Sequence, residues 1–143
     1  MPDLPSSGEF SGQWTVLGEE QTLAFVDGRE VAILRHRGTV NLKQSDGLPR
    51  VFFSNCLGFR DSKTSSGRCE WVDSNEDRLF IETTRELMGA DDLVSGEFVG
   101  GTGRYSGIRG QIQLRVWMYT APNKEEGVVQ AFTDTLRGSW TFE

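Results

Sequence analysis

Two cysteines, one histidine and the acid Glu82 are the residues from which this chain could build chemistry. Cys56 and Cys69 have twelve residues between them, a spacing that is neither a CxxC pair nor a dense disulfide framework. Two thiols do not make a structural zinc site. The one histidine, His36, excludes a multi-histidine metal centre and leaves a single candidate for a histidine general base. No GxSxG elbow is present for a triad hydrolase. Neither a metal nor a cofactor is therefore expected.

Strand pairing would bring several of these residues together. With one turn in 61–67 and the next centred on Asn75-Glu76, antiparallel pairing sets Cys56 opposite Cys69, Cys69 opposite Glu82, and Trp71 opposite Phe80. Side chains alternate along a strand, so Phe52, Ser54, Cys56, Cys69, Trp71, Phe80 and Glu82 then share one face. If that face is internal, it is an aromatic wall with two thiols and one carboxylate, the mixture typical of a small-molecule pocket. Desolvation there would raise the carboxyl pKa and make Glu82 a proton donor or acceptor near neutral pH. The opposite choice makes Phe53, Leu57, Phe59, Val72, Leu79 and Ile81 the core and leaves Cys56, Cys69 and Glu82 outside. A one-residue slip scatters the set. Directly opposite cysteines can form a disulfide, but in the cytoplasm they are expected reduced.

His36 lies in Leu34-Arg35-His36-Arg37, where three polar residues must divide between two faces. A surface histidine flanked by solvated arginines is the ordinary arrangement. Burying Arg35 and Arg37 would require acidic partners such as Glu70 or an anionic ligand, so the arginines are expected to point outward.

The elements that must position these groups are strands. The chain has 143 residues, enough for one domain. Hydrophobic residues make up 36%, and glycine is 17 of 143, above the roughly 7% average. Segment 1–12 carries two of the four prolines and three serines and is expected to be a flexible lead-in, with ordered structure beginning near Trp14 and a single barrel domain over 13–143. Nine strand candidates follow: 14–17, 21–26, 30–42, 50–60, 68–73, 78–84, 93–100, 111–119 and 128–142. Each is rich in Val, Ile, Phe, Trp or Thr and bounded by turn residues. Asp27-Gly28 suits the positive-φ turn of a hairpin, and 84–91 has room for one helical turn. An all-β closed antiparallel barrel of about eight strands fits best, with a two-sheet sandwich second. The net charge of −6 argues against nucleic acid or an anionic membrane as partner. No long apolar run or signal-like N-terminus is present, and a soluble, cytoplasmic protein is expected.

Five glycines fall in 100–110, GGTGRYSGIRG. The spacing fails GxGxxG, since Ser106 stands where glycine is needed, and no GK[ST] or helix follows. Positive φ, a bulge and close strand approach explain these glycines better. Preceded by Gly96-Glu97-Phe98-Val99, the segment resembles the glycine-rich strand corner of the allene oxide cyclase-like and dirigent-like barrels. That resemblance implies a calycin-like eight-stranded barrel with a hydrophobic cavity, frequently dimeric or trimeric. It also implies guidance of a reactive small molecule by confinement. By the same resemblance, Glu82, Asn55 and Cys69 are residue types suited to substrate positioning, although Asn55 alternates away from Cys56.

The resulting expectation is a cofactor-free barrel that binds an apolar small molecule and acts as a cyclase or isomerase, and forms a homo-oligomer. Catalysis would fall to Glu82 and Cys69, and ligand contact to Phe52, Asn55, Cys56, Trp71 and Phe80. The alternatives are a non-catalytic carrier, or an interaction module with a filled barrel and surface aromatics at Trp117, Tyr119 and Trp140.

Overall fold

The computed structural model describes residues 4–86, 93–115, 118–123 and 127–142. Nine strands run β1 Ser7–Ala24, β2 Glu30–Gln44, β3 Val51–Arg60, β4 Thr64–Val72, β5 Arg78–Glu86, β6 Leu93–Gly101, β7 Ile108–Arg115, β8 Met118–Asn123 and β9 Val128–Phe142. All neighbours pair antiparallel, and β1 pairs with β9 to close the sheet. β7 pairs with the 137–142 end of β9 and β8 with its 128–132 end. The two follow one another along one edge of β9, so the closed barrel is eight strands around. Closure removes the unpaired edges that an open sheet would expose.

Two expectations about the N-terminal region are corrected. Strand β1 starts at Ser7, inside the expected lead-in, because Phe10 is buried and Gly8 and Phe10 pair with Trp140 and Gly138. The candidates 14–17 and 21–26 are one strand, since Gly18, Glu19 and Glu20 continue the ladder with β2. The turn after it has the expected positive φ, 59° at Asp27 and 71° at Gly28, but it is longer than the two-residue hairpin expected there, with Phe25 N–H donating to Arg29 O and Ala24 paired with Glu30. The helical turn considered in 84–91 falls largely outside the described residues, and 84–86 are strand.

One end of the barrel is packed solid. Trp71 is fully buried, with ring centroids 5.4 Å from Trp14, 5.6 Å from Phe52, 5.7 Å from Phe98 and 6.1 Å from Phe10. The glycine-rich corner closes this end. A bulge leaves Val99 as an extra residue between pairs Phe80–Gly100 and Ile81–Phe98, and a tight turn at Gly103–Tyr105 carries Tyr105 inside. Asp73 anchors that plug: Tyr105 Oη donates to its Oδ2 at 2.7 Å and Arg104 Nη2 at 2.9 Å, while Oδ1 accepts from the N–H groups of Asn75 and Asp77 at 2.8 and 3.1 Å. Burial alone would raise the Asp73 pKa, but these hydrogen bonds outweigh it and hold the carboxyl below its ordinary value. Gly103, at φ 55°, has no room for a side chain, as a Cβ would stand 2.1 Å from Asp77 Oδ1.

Candidate functional site

The other end of the barrel is open, with a cavity of about 640 Å³. Trp14 and the Cys56–Cys69 pair form its floor, and Val16, Leu34, Val94, Leu114 and Val129 contribute to its wall. The reason for the opening lies in the inward positions of three neighbouring strands. From the solid end outward, β3 presents Phe52, Ser54, Cys56 and Gly58, β4 presents Trp71, Cys69 and Gly67, and β5 presents Leu79, Ile81 and Thr83. Large aromatic and aliphatic side chains at the solid end give way to Gly58, Gly67 and Thr83, so the same barrel is filled below and hollow above.

The pairing of β3 with β4 is as read, with Cys56 directly opposite Cys69, and Phe52, Ser54, Cys69 and Trp71 lie on the inner face. The expected reduced thiols are a disulfide. The pairing of β4 with β5 is one residue away from expectation: Cys69 faces Ile81 and Trp71 faces Leu79. The cause is the turn between the strands. Asp73 O accepts from Glu76 N–H, and Glu76 takes φ 66°, which inserts a three-residue loop where a two-residue one was assumed. Every β5 side chain therefore changes face. Glu82 is outside, 48% exposed and 3.5 Å from Arg68 Nε, and Phe80 is 38% exposed. Asn55 is also on the outer face, opposite Glu70. Of the opposite-face set, Phe53, Leu57 and Phe59 are exposed, while Leu79 and Ile81 are core.

The structure thus brings Cys56 and Cys69 together at the cavity, packs Phe52 and Trp71 beneath its floor, and leaves Asn55, Phe80 and Glu82 outside. Trp140 is buried in the solid end. Trp117 and the side chain of Tyr119 lie outside the described residues.

His36 faces inward and lines the cavity, while Arg35 and Arg37 are exposed. The arginines therefore point outward as expected, and the histidine is not a surface residue. Its ring lies against the cross-strand Gly18, where a Cβ would come 2.6 Å from His36 Cδ2. Burial pushes the imidazole pKa below its usual value, partly opposed by the negative charge of Glu20, so the ring is neutral at pH 7. Its Nε2 is buried without a hydrogen-bond partner.

A polar rim completes the site. Arg60 donates through Nε to Glu20 Oε1 at 2.8 Å and through Nη2 to Glu20 and to Glu30 Oε1, the latter at 3.2 Å. Glu20 was hidden in the sequence because Gly18-Glu19-Glu20 reads as a break between strands. Its even-numbered alternation with Trp14 and Val16 was the available signal. Among the described residues no cluster of His, Cys, Asp and Glu could hold a metal ion, and no helix is long and apolar enough to cross a membrane.

Solved structures share this architecture. The pterocarpan synthase dirigent protein GePTS1 superposes with a TM-score of 0.57 at 13% identity, over 99% of this chain and 90% of that one. The pterocarpan synthase dirigent protein PsPTS1 superposes with a TM-score of 0.55 at 11% identity, over 99% of both chains. This chain has the dirigent-type barrel fold. No family model matches the sequence, and no curated protein sequence matches it significantly. The likeness is one of dirigent fold, and the residues of this cavity must be argued on their own chemistry.

Proposed function

We propose that the open half of this dirigent-type barrel binds a small, mostly apolar molecule and guides its cyclisation or isomerisation by confinement. The observation that carries this reading is the cavity of about 640 Å³, within the roughly 300–1,000 Å³ range of small-molecule sites. Holding a flexible molecule in a folded, near-attack conformer removes entropy from the barrier without a covalent intermediate. His36 is the polar group best placed to act, because a neutral imidazole donates or accepts one hydrogen bond or takes up a proton. Glu82 and Phe80 have no part in this reading, since their side chains stand on the outer surface.

Native mass spectrometry of freshly purified protein tests it. An apolar small molecule is expected to co-purify, and Leu34→Trp, which projects bulk into the cavity, is expected to abolish its retention with a stability change of about 1 kcal/mol or less. A bound and released molecule of identical structure would make the barrel a carrier. Failure of wild-type protein to bind any member of an apolar ligand library would remove the cavity reading altogether.

The reading includes self-association. Ile33, Phe53, Leu57 and Phe59 lie on the outer face of β2 and β3, and Phe53 is 63% exposed. Exposed apolar side chains grouped on one face, broken only by Asn55 between Phe53 and Leu57, support an interaction surface there. Light scattering is expected to give a dimer or trimer that Phe53→Glu dissociates.

A further inference from the structure

We infer that the Cys56–Cys69 disulfide is a covalent exchange site inside the cavity, at which a small apolar thiol attacks Cys56 Sγ with His36 taking its proton. The inference rests on the cavity being the ligand site and adds the class of molecule that it takes. It starts from a row of residues on the inner face. His36 of β2 is directly opposite Cys56 of β3, which is directly opposite Cys69 of β4. Disulfide exchange proceeds in line, with the incoming sulfur, the attacked sulfur and the leaving sulfur on one axis. Passing from Cys69 on β4 to Cys56 on β3 and onward leads to β2 at His36. A thiol approaching Cys56 from the side opposite Cys69 therefore arrives beside the imidazole.

Accessibility selects the same sulfur. Both cysteines line the cavity, but Cys69 is only 8% exposed and packs in the core, whereas Cys56 is partly exposed. The imidazole is suited to its task, since burial holds its pKa below the usual value and it lines the cavity directly across from Cys56. The charged groups sharing the cavity with it are Glu20 of β1, Glu30 of β2, Arg60 of β3 and Arg85 of β5. Glu20 and Glu30 are engaged by Arg60, which leaves His36 as the base nearest the disulfide row.

The step balances without an external oxidant. The thiol proton passes to the His36 imidazole, the ligand sulfur bonds to Cys56 Sγ, and the Cys56–Cys69 bond breaks. Its electron pair leaves on Cys69 Sγ, which then takes a proton from the imidazolium. The reverse attack by Cys69 on Cys56 Sγ releases the ligand thiol, so the attachment is reversible. Disulfides persist in oxidising compartments and are transient and catalytic in reducing ones, and an exchange site of this type functions in either.

The full chain, with its disulfide formed, is treated with 2-phenylethanethiol or 2-mercaptoethanol and quenched at intervals with acid and a maleimide. Peptide mass mapping is expected to find the probe on Cys56 and the maleimide on Cys69. Opening by 2-phenylethanethiol is expected to be about tenfold faster per thiolate, because its ring is buried in the cavity. His36→Phe and His36→Gln are each expected to slow it about tenfold or more near neutral pH and to leave a rate that follows thiol ionisation alone. Equal rates for the two thiols, or the probe on Cys69, overturns the proposal. An unchanged pH profile in both His36 variants overturns the role of the imidazole. The thioether 2-phenylethyl methyl sulfide separates the two levels: binding of the thioether without exchange by the thiol sinks the covalent site alone, and binding of neither sinks the cavity reading with it.

Discussion

The two ends of this barrel are made from the same strands and differ in what those strands point inward. At the solid end Phe10, Phe52, Trp71, Phe98 and Tyr105 fill the lumen, and Asp73 ties the plug to the wall. At the open end the inward positions pass to Gly58, Gly67 and Thr83, and the lumen becomes a cavity. The solid half holds the barrel closed with aromatic packing and a satisfied buried carboxylate. That support lets the other half keep a lone histidine, a disulfide and an ion-pair rim around empty volume. Dense packing and open volume are thus separated along the barrel axis.

Truncations at the two ends should break this contrast if it is wrong. Trp71→Ala is expected to cost about 3–5 kcal/mol, the usual result of removing a buried aromatic. Leu34→Ala is expected to cost no more than about 1 kcal/mol, because that side chain already borders the cavity. Urea unfolding of both variants measures the difference, and equal losses would show that the halves are not energetically distinct.

Asp73 sharpens the same contrast through pH. Its carboxyl titrates below the ordinary value in the folded chain, so the unfolded chain binds the proton first as pH falls. The stability it contributes is complete above the ordinary value of 3.8 and is lost as pH falls through the lowered folded value. Asp73→Asn is expected to lower stability near neutral pH by about 3 kcal/mol and to flatten the acid limb of the unfolding curve. Cavity ligand affinity in the folded variant should be unchanged.

Gly103→Ala is expected to cost about 1–3 kcal/mol, since φ 55° and the Asp77 carboxylate both oppose a Cβ. Thermal melting measures it, and a silent substitution would mean that the plug yields without loss. The smallest expected effect belongs to His36. Its folded pKa is below the ordinary 6.5, so its contribution is present above 6.5 and is lost as pH falls through the folded value. His36→Gln is expected to remove a shallow fall in melting temperature over that range and leave the Asp73 limb intact.

Much of the barrel was legible from short-range rules. Runs rich in β-branched and aromatic residues, bounded by glycine and acidic turns, located most of the strands. The opposition of Cys56 and Cys69 followed from placing the first turn after Arg60, although β4 already begins at Thr64, inside the 61–67 assumed to be turn. The site was less legible. Glu20 was lost because Gly18 looked like a break, although the ladder passes through it opposite His36. Glu82 and Phe80 were assigned to the interior through a turn whose geometry depends on Asp73, and Asp73 is held in place by Arg104 and Tyr105 from 31 and 32 residues onward.

By itself, the sequence determined the strand periodicity and the corner at 100–110, because these are properties of neighbouring residues. Only the tertiary structure decided which face of β5 is inside, that His36 borders the disulfide row, and that one end of the lumen is left open. Alternation defines two faces without saying which one meets the others. That choice is made when eight strands close and their inward side chains compete for one volume.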